Sequence, residues 1–165
     1  MFKNTFVLIL LMIFSLTTVS FTNVTNKNDE TKDTHQEEKN RAQNWNESSL
    51  FKAGNYTLNG EKGRLGFIYD DSEVLRFYPN KTQKYMWHFW GEDKEFEGQL
   101  KIVATHENDG EQITLLEGVE IGGPNNGADR HMPSNMSLPK SGMWKLEAYM
   151  GDNLFGTVFI KVHKK

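Results

Sequence analysis

The sequence predicts an all-β domain, an immunoglobulin-like antiparallel β-sandwich of about seven or eight strands, and three observations support this fold. Apolar and polar residues alternate with a period of two, and no long helical pattern appears. Turn residues recur about every eight to twelve positions. Residues 83–90 carry bulky side chains at almost every position, which is typical of a central strand.

The segment 83–90 is the most informative strand. Its alternate positions give two bulky faces, with Tyr85, Trp87 and Phe89 on one and Met86, His88 and Trp90 on the other. A strand of this kind is buried on both sides, or it is covered on one side by a loop.

Turn signals delimit the remaining strands. Asn108-Asp109-Gly110 and Gly151-Asp152-Asn153 each predict a tight hairpin, because Asn, Asp and Gly tolerate positive φ. Gly156 interrupts the last strand and indicates a bulge or a close approach. The predicted strands cover residues 65–69, 74–78, 98–106, 112–116 (continuing at 119–121), 142–150 and 154–162, and residues 122–139 form a long irregular segment.

The chain contains no cysteine, so the inter-sheet disulfide of many immunoglobulin-like domains is absent. Trp87 and Trp144 are therefore expected to fill the core by packing alone. A buried aromatic side chain contributes about 1.5–3 kcal/mol, so such a replacement is reasonable.

The first fifty residues predict export. One lysine, Lys3, precedes an apolar run that is too short to span a bilayer comfortably, so residues 1–20 form a signal peptide or an uncleaved signal anchor. Residues 21–50 are rich in Asn, Thr, Lys and Glu and predict a disordered linker. Residues 51–165 form the domain.

The charge balance excludes some partners. The chain has 19 basic and 22 acidic residues, a net charge of −3, and no basic cluster. Nucleic acid is therefore not expected as a partner, and a membrane is expected only through the N-terminal segment if it stays uncleaved.

Several blocks resemble a family of exported Bacillus-type lipoproteins and secreted proteins of uncharacterised function. The blocks are KYMWHFWG at 84–91, NGAD at 126–129, HMPS at 131–134, SLP at 137–139 and GMWKLEAY at 142–149. The resemblance covers about residues 65–162 and implies an immunoglobulin-like fold and a cell-envelope location, without a known activity. This chain lacks the lipid-carrying Cys of the lipoprotein members, so lipid anchoring is not carried over.

The irregular segment 122–139 is the predicted binding loop, because long loops on sandwiches often carry function. Its candidate site residues are Asn126, Asp129, Arg130, His131 and Met132. The structural alternative is a packed crossover between the sheets, with Met132, Met136 and Leu138 as apolar plugs.

Two alternatives involve other side chains. Imidazole and thioether groups suit copper, which gives a metal alternative of His88, His131, Met132 and Met136, with Met86 nearby. A hydrogen-bonded core histidine is a commoner role for His88. The aromatics Tyr85, Trp87, Phe89 and Trp90 would suit sugar stacking, although at strand spacing they are more often core.

No motif predicts catalysis or a cofactor. The acidic run Glu92, Asp93, Glu95 and Glu97 fits a solvated turn better than a pair of catalytic carboxylates. We therefore expect a non-enzymatic module on the envelope of a Gram-positive bacterium, secreted or membrane-tethered, that binds an unknown protein or envelope component. Copper handling and carbohydrate binding are the alternatives.

Overall fold

The computed structural model describes residues 45–165. The predicted leader and residues 21–44 of the predicted linker lie outside this range. The described part contains nine strands and one 3₁₀ turn at Asp93–Phe96. The strands are β1 Leu50–Ala53, β2 Tyr56–Glu61, β3 Leu65–Ile68, β4 Gln83–Phe89, β5 Leu100–His106, β6 Gln112–Val119, β7 Arg130–Met136, β8 Gly142–Met150 and β9 Asn153–Val162.

The nine strands form two antiparallel sheets. The first has the order β1-β2-β3-β4-β7, and the second has the order β6-β5-β8-β9. Every pairing between these strands is antiparallel. The predicted all-β sandwich is therefore confirmed. Within the described residues, no helix is long and apolar enough to cross a bilayer.

The core lies between the two sheets. Strand β5 alternates strictly between buried and half-buried positions, and β8 does the same from Trp144 onward. Trp87 and Trp144 are both fully buried, as the absence of a disulfide required. Phe67 contacts four other aromatic rings, which gives the core a dense aromatic centre: Tyr69, Phe77, Tyr85 and Trp87.

The structure departs from the sequence prediction at three places. Residues 74–78 form no strand; Phe77 makes only an isolated bridge to Val162. Strands β1 and β2 lie in a region of Lys, Gly, Asn and Thr that carries little apolar alternation. The segment 122–139 is not irregular throughout, because Arg130–Met136 is strand β7.

Pro133 explains why the sequence does not predict β7. Proline cannot donate a hydrogen bond, so in a sequence it argues against a strand. Here β7 is the last strand of its sheet, where proline is tolerated.

Trp45 and Ser48 contact strand β9 of the second sheet. Trp45 packs edge-on against Phe159 with ring centroids 5.6 Å apart. The backbone N–H of Ser48 donates to the Phe159 carbonyl, and the Phe159 N–H donates to the Ser48 hydroxyl, both at 2.9 Å. These contacts join the start of the described chain to β9.

Candidate functional site

The candidate site lies on the outer side of β4. Because Tyr85, Trp87 and Phe89 point into the core, His88 projects from the opposite face, and Trp90 follows directly after the strand. His88 is nevertheless fully buried. A loop covers this face, which is one of the two arrangements that the sequence predicted.

The covering element is a two-residue turn at Asn126-Gly127. The backbones of Asn125 and Ala128 exchange two hydrogen bonds, at 3.1 and 2.9 Å. Asn126 and Gly127 both have positive φ, 51° and 80°. This is the geometry of a type I′ turn, for which Asn-Gly is the preferred pair.

The turn is bonded to His88. The Nδ2 atom of Asn126 lies 3.1 Å from Nε2 of His88, and the His88 Nδ1 atom lies 3.3 Å from the Met86 carbonyl oxygen. An amide N–H₂ can only donate, so the network assigns Nε2 as acceptor and places the ring proton on Nδ1. Burial, aided by nearby His131, lowers the pKa of His88, although the bond to Met86 opposes this shift. His88 is therefore a neutral histidine with both nitrogens bonded.

The same turn fixes Trp90. The indole N–H donates to the Gly127 carbonyl oxygen at 2.7 Å. The His88 ring stacks on the indole with centroids 6.1 Å apart, and Phe51 meets it edge-on at 6.0 Å. Trp90 remains partly exposed despite these contacts. A large aromatic side chain is thus held in one orientation at the surface.

A cleft of about 240 Å³ opens beside Trp90. Three turn regions and the end of β1 line it: Phe51, Lys52, Ala53, Gly54, Lys62, Gly63, Trp90, Asn126 and Gly127. The lining contains two lysines and no acidic residue. The cleft therefore combines an aromatic wall with a positive charge.

Asp129 and Arg130 bond to the turn that contains Gly91 and Asp93. The Gly91 N–H donates to Oδ2 of Asp129 at 3.0 Å, and Nη2 of Arg130 contacts Oδ1 of Asp93 at 2.7 Å. The Arg130 guanidinium also lies 5.1 Å from the centre of the Phe96 ring. These bonds tie β7 to the acidic run that we expected to be a solvated turn.

The four residues of the metal alternative are not brought together. His88 and His131 are direct partners across β4 and β7, on the outer face of the sheet. Met132 and Met136 lie on the core face, and Met136 is fully buried. Within residues 45–165, no group of three or more His, Asp or Glu side chains is arranged to hold a metal ion.

Of the predicted site residues, the cleft contains Asn126. His131 lies nearby and places Nδ1 2.7 Å from the Gly123 carbonyl, whereas Met132 packs against the core. Sequence reasoning missed Phe51 and Lys62, because they lie in strands and turns that the pattern did not reveal. Among the four aromatics considered for sugar stacking, only Trp90 reaches the surface.

The comparisons with known proteins agree with this architecture. The sequence model of a family described as a domain of unknown function, DUF4871, matches residues 34–160. The chain belongs to the DUF4871 family. The resemblance to uncharacterised Bacillus-type exported proteins is thereby confirmed in its general form.

One solved structure is similar to this DUF4871 protein. It is a crystal structure of a Bacillus anthracis protein described as a candidate lipoprotein. The identity is 21%, the TM-score is 0.57, and the match covers 83% of this chain and 98% of that chain. At this identity the likeness shows the fold. No curated protein matches the sequence.

Proposed function

We propose that this DUF4871 protein is an exported, non-enzymatic binding module of the Gram-positive cell envelope, and that its ligand surface is the cleft beside Trp90. The lipoprotein description of the Bacillus anthracis neighbour supports an extracytoplasmic location held at a membrane. The apolar N-terminal run supports export of this chain.

The fixed but partly exposed indole of Trp90 is the observation that carries this proposal. A tryptophan that serves only the core would be buried, as Trp87 and Trp144 are. Trp90 instead receives three supporting contacts and still lines a cleft. Supporting contacts lower the entropy that an aromatic side chain loses on binding. Tryptophan is also among the residues that most often dominate binding energy.

The bonding of the polar groups favours binding over catalysis. His88 has partners on both ring nitrogens, and Asp129 accepts from the Gly91 backbone. Arg130 is paired with Asp93. A general base needs a free lone pair directed at a substrate, and the buried His88 imidazole, bonded at both nitrogens, offers none.

Retention on isolated cell envelopes tests the proposal. The full chain should bind, and Trp90→Ala should reduce the bound fraction severalfold, since it removes the aromatic wall of the cleft. Leu154→Ala is the matched control, because Leu154 is another exposed apolar side chain, outside the cleft. Circular dichroism would verify that both variants are folded. Equal retention of folded Trp90→Ala and wild type would overturn the proposal.

A further inference from the structure

We propose that the cleft beside Trp90 binds an anionic glycan, with one sugar ring stacked against the indole and its carboxylate group held by Lys62. This inference rests on the proposed function, because it names the ligand class of the same cleft. It is carried by the size, the charge and the backbone composition of that cleft.

The size of the cleft suits a single ring. Pockets for drug-sized ligands are commonly about 300–1,000 Å³. The cleft measures about 240 Å³, so it is too small to enclose such a ligand and has the volume for a single sugar ring. An aromatic ring has a negative face, which attracts the positively polarised C–H groups of a sugar. Trp90 supplies this surface in a fixed orientation.

The positive charge of the cleft favours an anionic ligand. Lys62 is exposed at the rim, and no ion pair among residues 45–165 includes it. Lys52 also lines the cleft, but its Nζ donates to the Thr57 hydroxyl at 2.7 Å. Hydrogen bonds from Ser72 and, to a lesser degree, the charge of Lys52 lower the pKa of the nearby Asp70 carboxyl, so Lys62 is the lysine left for an anion. Because no carboxylate lines the cleft, an incoming anion would meet the uncompensated positive charge of Lys62.

The backbone lining is poorly suited to an extended peptide. Peptides that add to a sheet depend on a row of free backbone groups along an edge strand. The edge strand at this cleft, β1, has only four residues, and the rest of the lining comes from turns. Short edge strands offer few bonds to an added strand. An acidic peptide is therefore the weaker candidate and becomes an outcome of the test.

A matched pair of sugars tests the inference on the purified full chain. N-acetylmuramic acid and N-acetylglucosamine share a ring and differ by a lactyl carboxylate. Calorimetry should give about tenfold tighter binding of the acid, which is the usual effect of one charge-assisted hydrogen bond. Lys62→Met should remove this difference, and Lys84→Met, which changes an exposed lysine outside the cleft, should preserve it. Trp90→Ala should weaken both sugars.

Several outcomes would overturn the inference: equal affinity of the two sugars, binding of glycerol phosphate as tight as that of the acid, tighter binding of a glutamate-rich peptide, or no binding of either sugar. Lys62→Met lies at an exposed turn, so it keeps the test valid if Trp90→Ala fails to fold. If neither sugar binds while envelopes still bind through Trp90, the glycan assignment falls and the proposed function stands.

Discussion

The side-chain amide of Asn126 donates to Nε2 of the buried His88 across 3.1 Å, and this bond links the turn above β4 to the strand beneath it. The two residues are 38 positions apart in the chain. The bond satisfies a nitrogen that would otherwise be buried without a partner, and it holds the turn whose carbonyl fixes Trp90.

Replacing Asn126 should therefore destabilise the domain. Asn126→Gly keeps the positive φ at no steric cost but removes the bond to His88, so the free energy of unfolding should fall by about 1–3 kcal/mol. Asn126→Ala should cost about 1–2 kcal/mol more, because an alanine is strained at this φ. Urea unfolding would measure both variants, with Asn135→Ala at an exposed position of β7 as control. A loss for Asn126→Gly no larger than that of the control would contradict the role of the bond.

Acidic pH should weaken the fold through His88. Burial lowers the pKa of His88 in the folded state, so as pH falls through about 6.5 the unfolded chain takes up a proton that the folded chain does not bind. The contribution of the neutral His88 to the free energy of unfolding is fully present above about pH 6.5. It declines as the pH falls below that value and stops changing once the pH is below the folded-state pKa of His88. Urea unfolding between about pH 5 and 7.5 would show this slope. The His88→Gln variant should lack it, and an unchanged slope in that variant would reject the assignment.

Gly66 should tolerate no side chain. A Cβ atom there would lie 2.8 Å from the Asn59 carbonyl oxygen and 3.1 Å from the Phe51 ring, which lines the cleft. Gly66→Ala should lower the free energy of unfolding by about 1–3 kcal/mol and should displace Phe51. Gly123→Ala is the control, since a Cβ at Gly123 meets nothing within 4 Å. Thermal unfolding of the two variants would measure this loss. Similar melting temperatures for Gly66→Ala and Gly123→Ala would show that the sheet accommodates a methyl group at position 66.

His106 should matter for stability rather than for binding. Its Nδ1 lies 3.0 Å from Oδ1 of Asp109, its Nε2 lies 3.2 Å from the Ser141 carbonyl, and its ring packs 4.8 Å from Trp144. His106→Ala should therefore cost about 2–4 kcal/mol, as for other buried truncations. His163→Ala, at a more exposed site, should cost less. An equal loss in the two variants, measured by urea unfolding, would argue against this role.

The sequence predicted the parts of the fold that depend on local pattern. Strands β5, β8 and β9 show alternating apolar residues, which report the buried face of a strand, and β4 shows bulky side chains on both faces. Strand β7 was hidden by Pro133, which is tolerated because the strand is at an edge.

The candidate site was predicted only in part, because its contacts are long-range. Asn126-Gly127 is the preferred residue pair of a type I′ turn, so the sequence contains a local signal for a turn at this position. Its bond to His88 and the proximity of Phe51 and Lys62 follow from the packing of β1–β3 against β4, which no local pattern encodes. The side chains of the metal alternative lie apart for a related reason. His131 and Met132 are adjacent in sequence, but neighbouring residues of a strand face opposite sides of the sheet.

The most direct test of the account is an NMR titration of the full chain, followed through the indole N–H signals, with solubilised envelope fragments as the ligand. The signal of Trp90, assigned with Trp90→Phe, should shift with fragment concentration. The signals of the buried Trp87 and Trp144 should stay in place. Binding of the fragments with no change at Trp90 would contradict the claim that this cleft is the ligand surface.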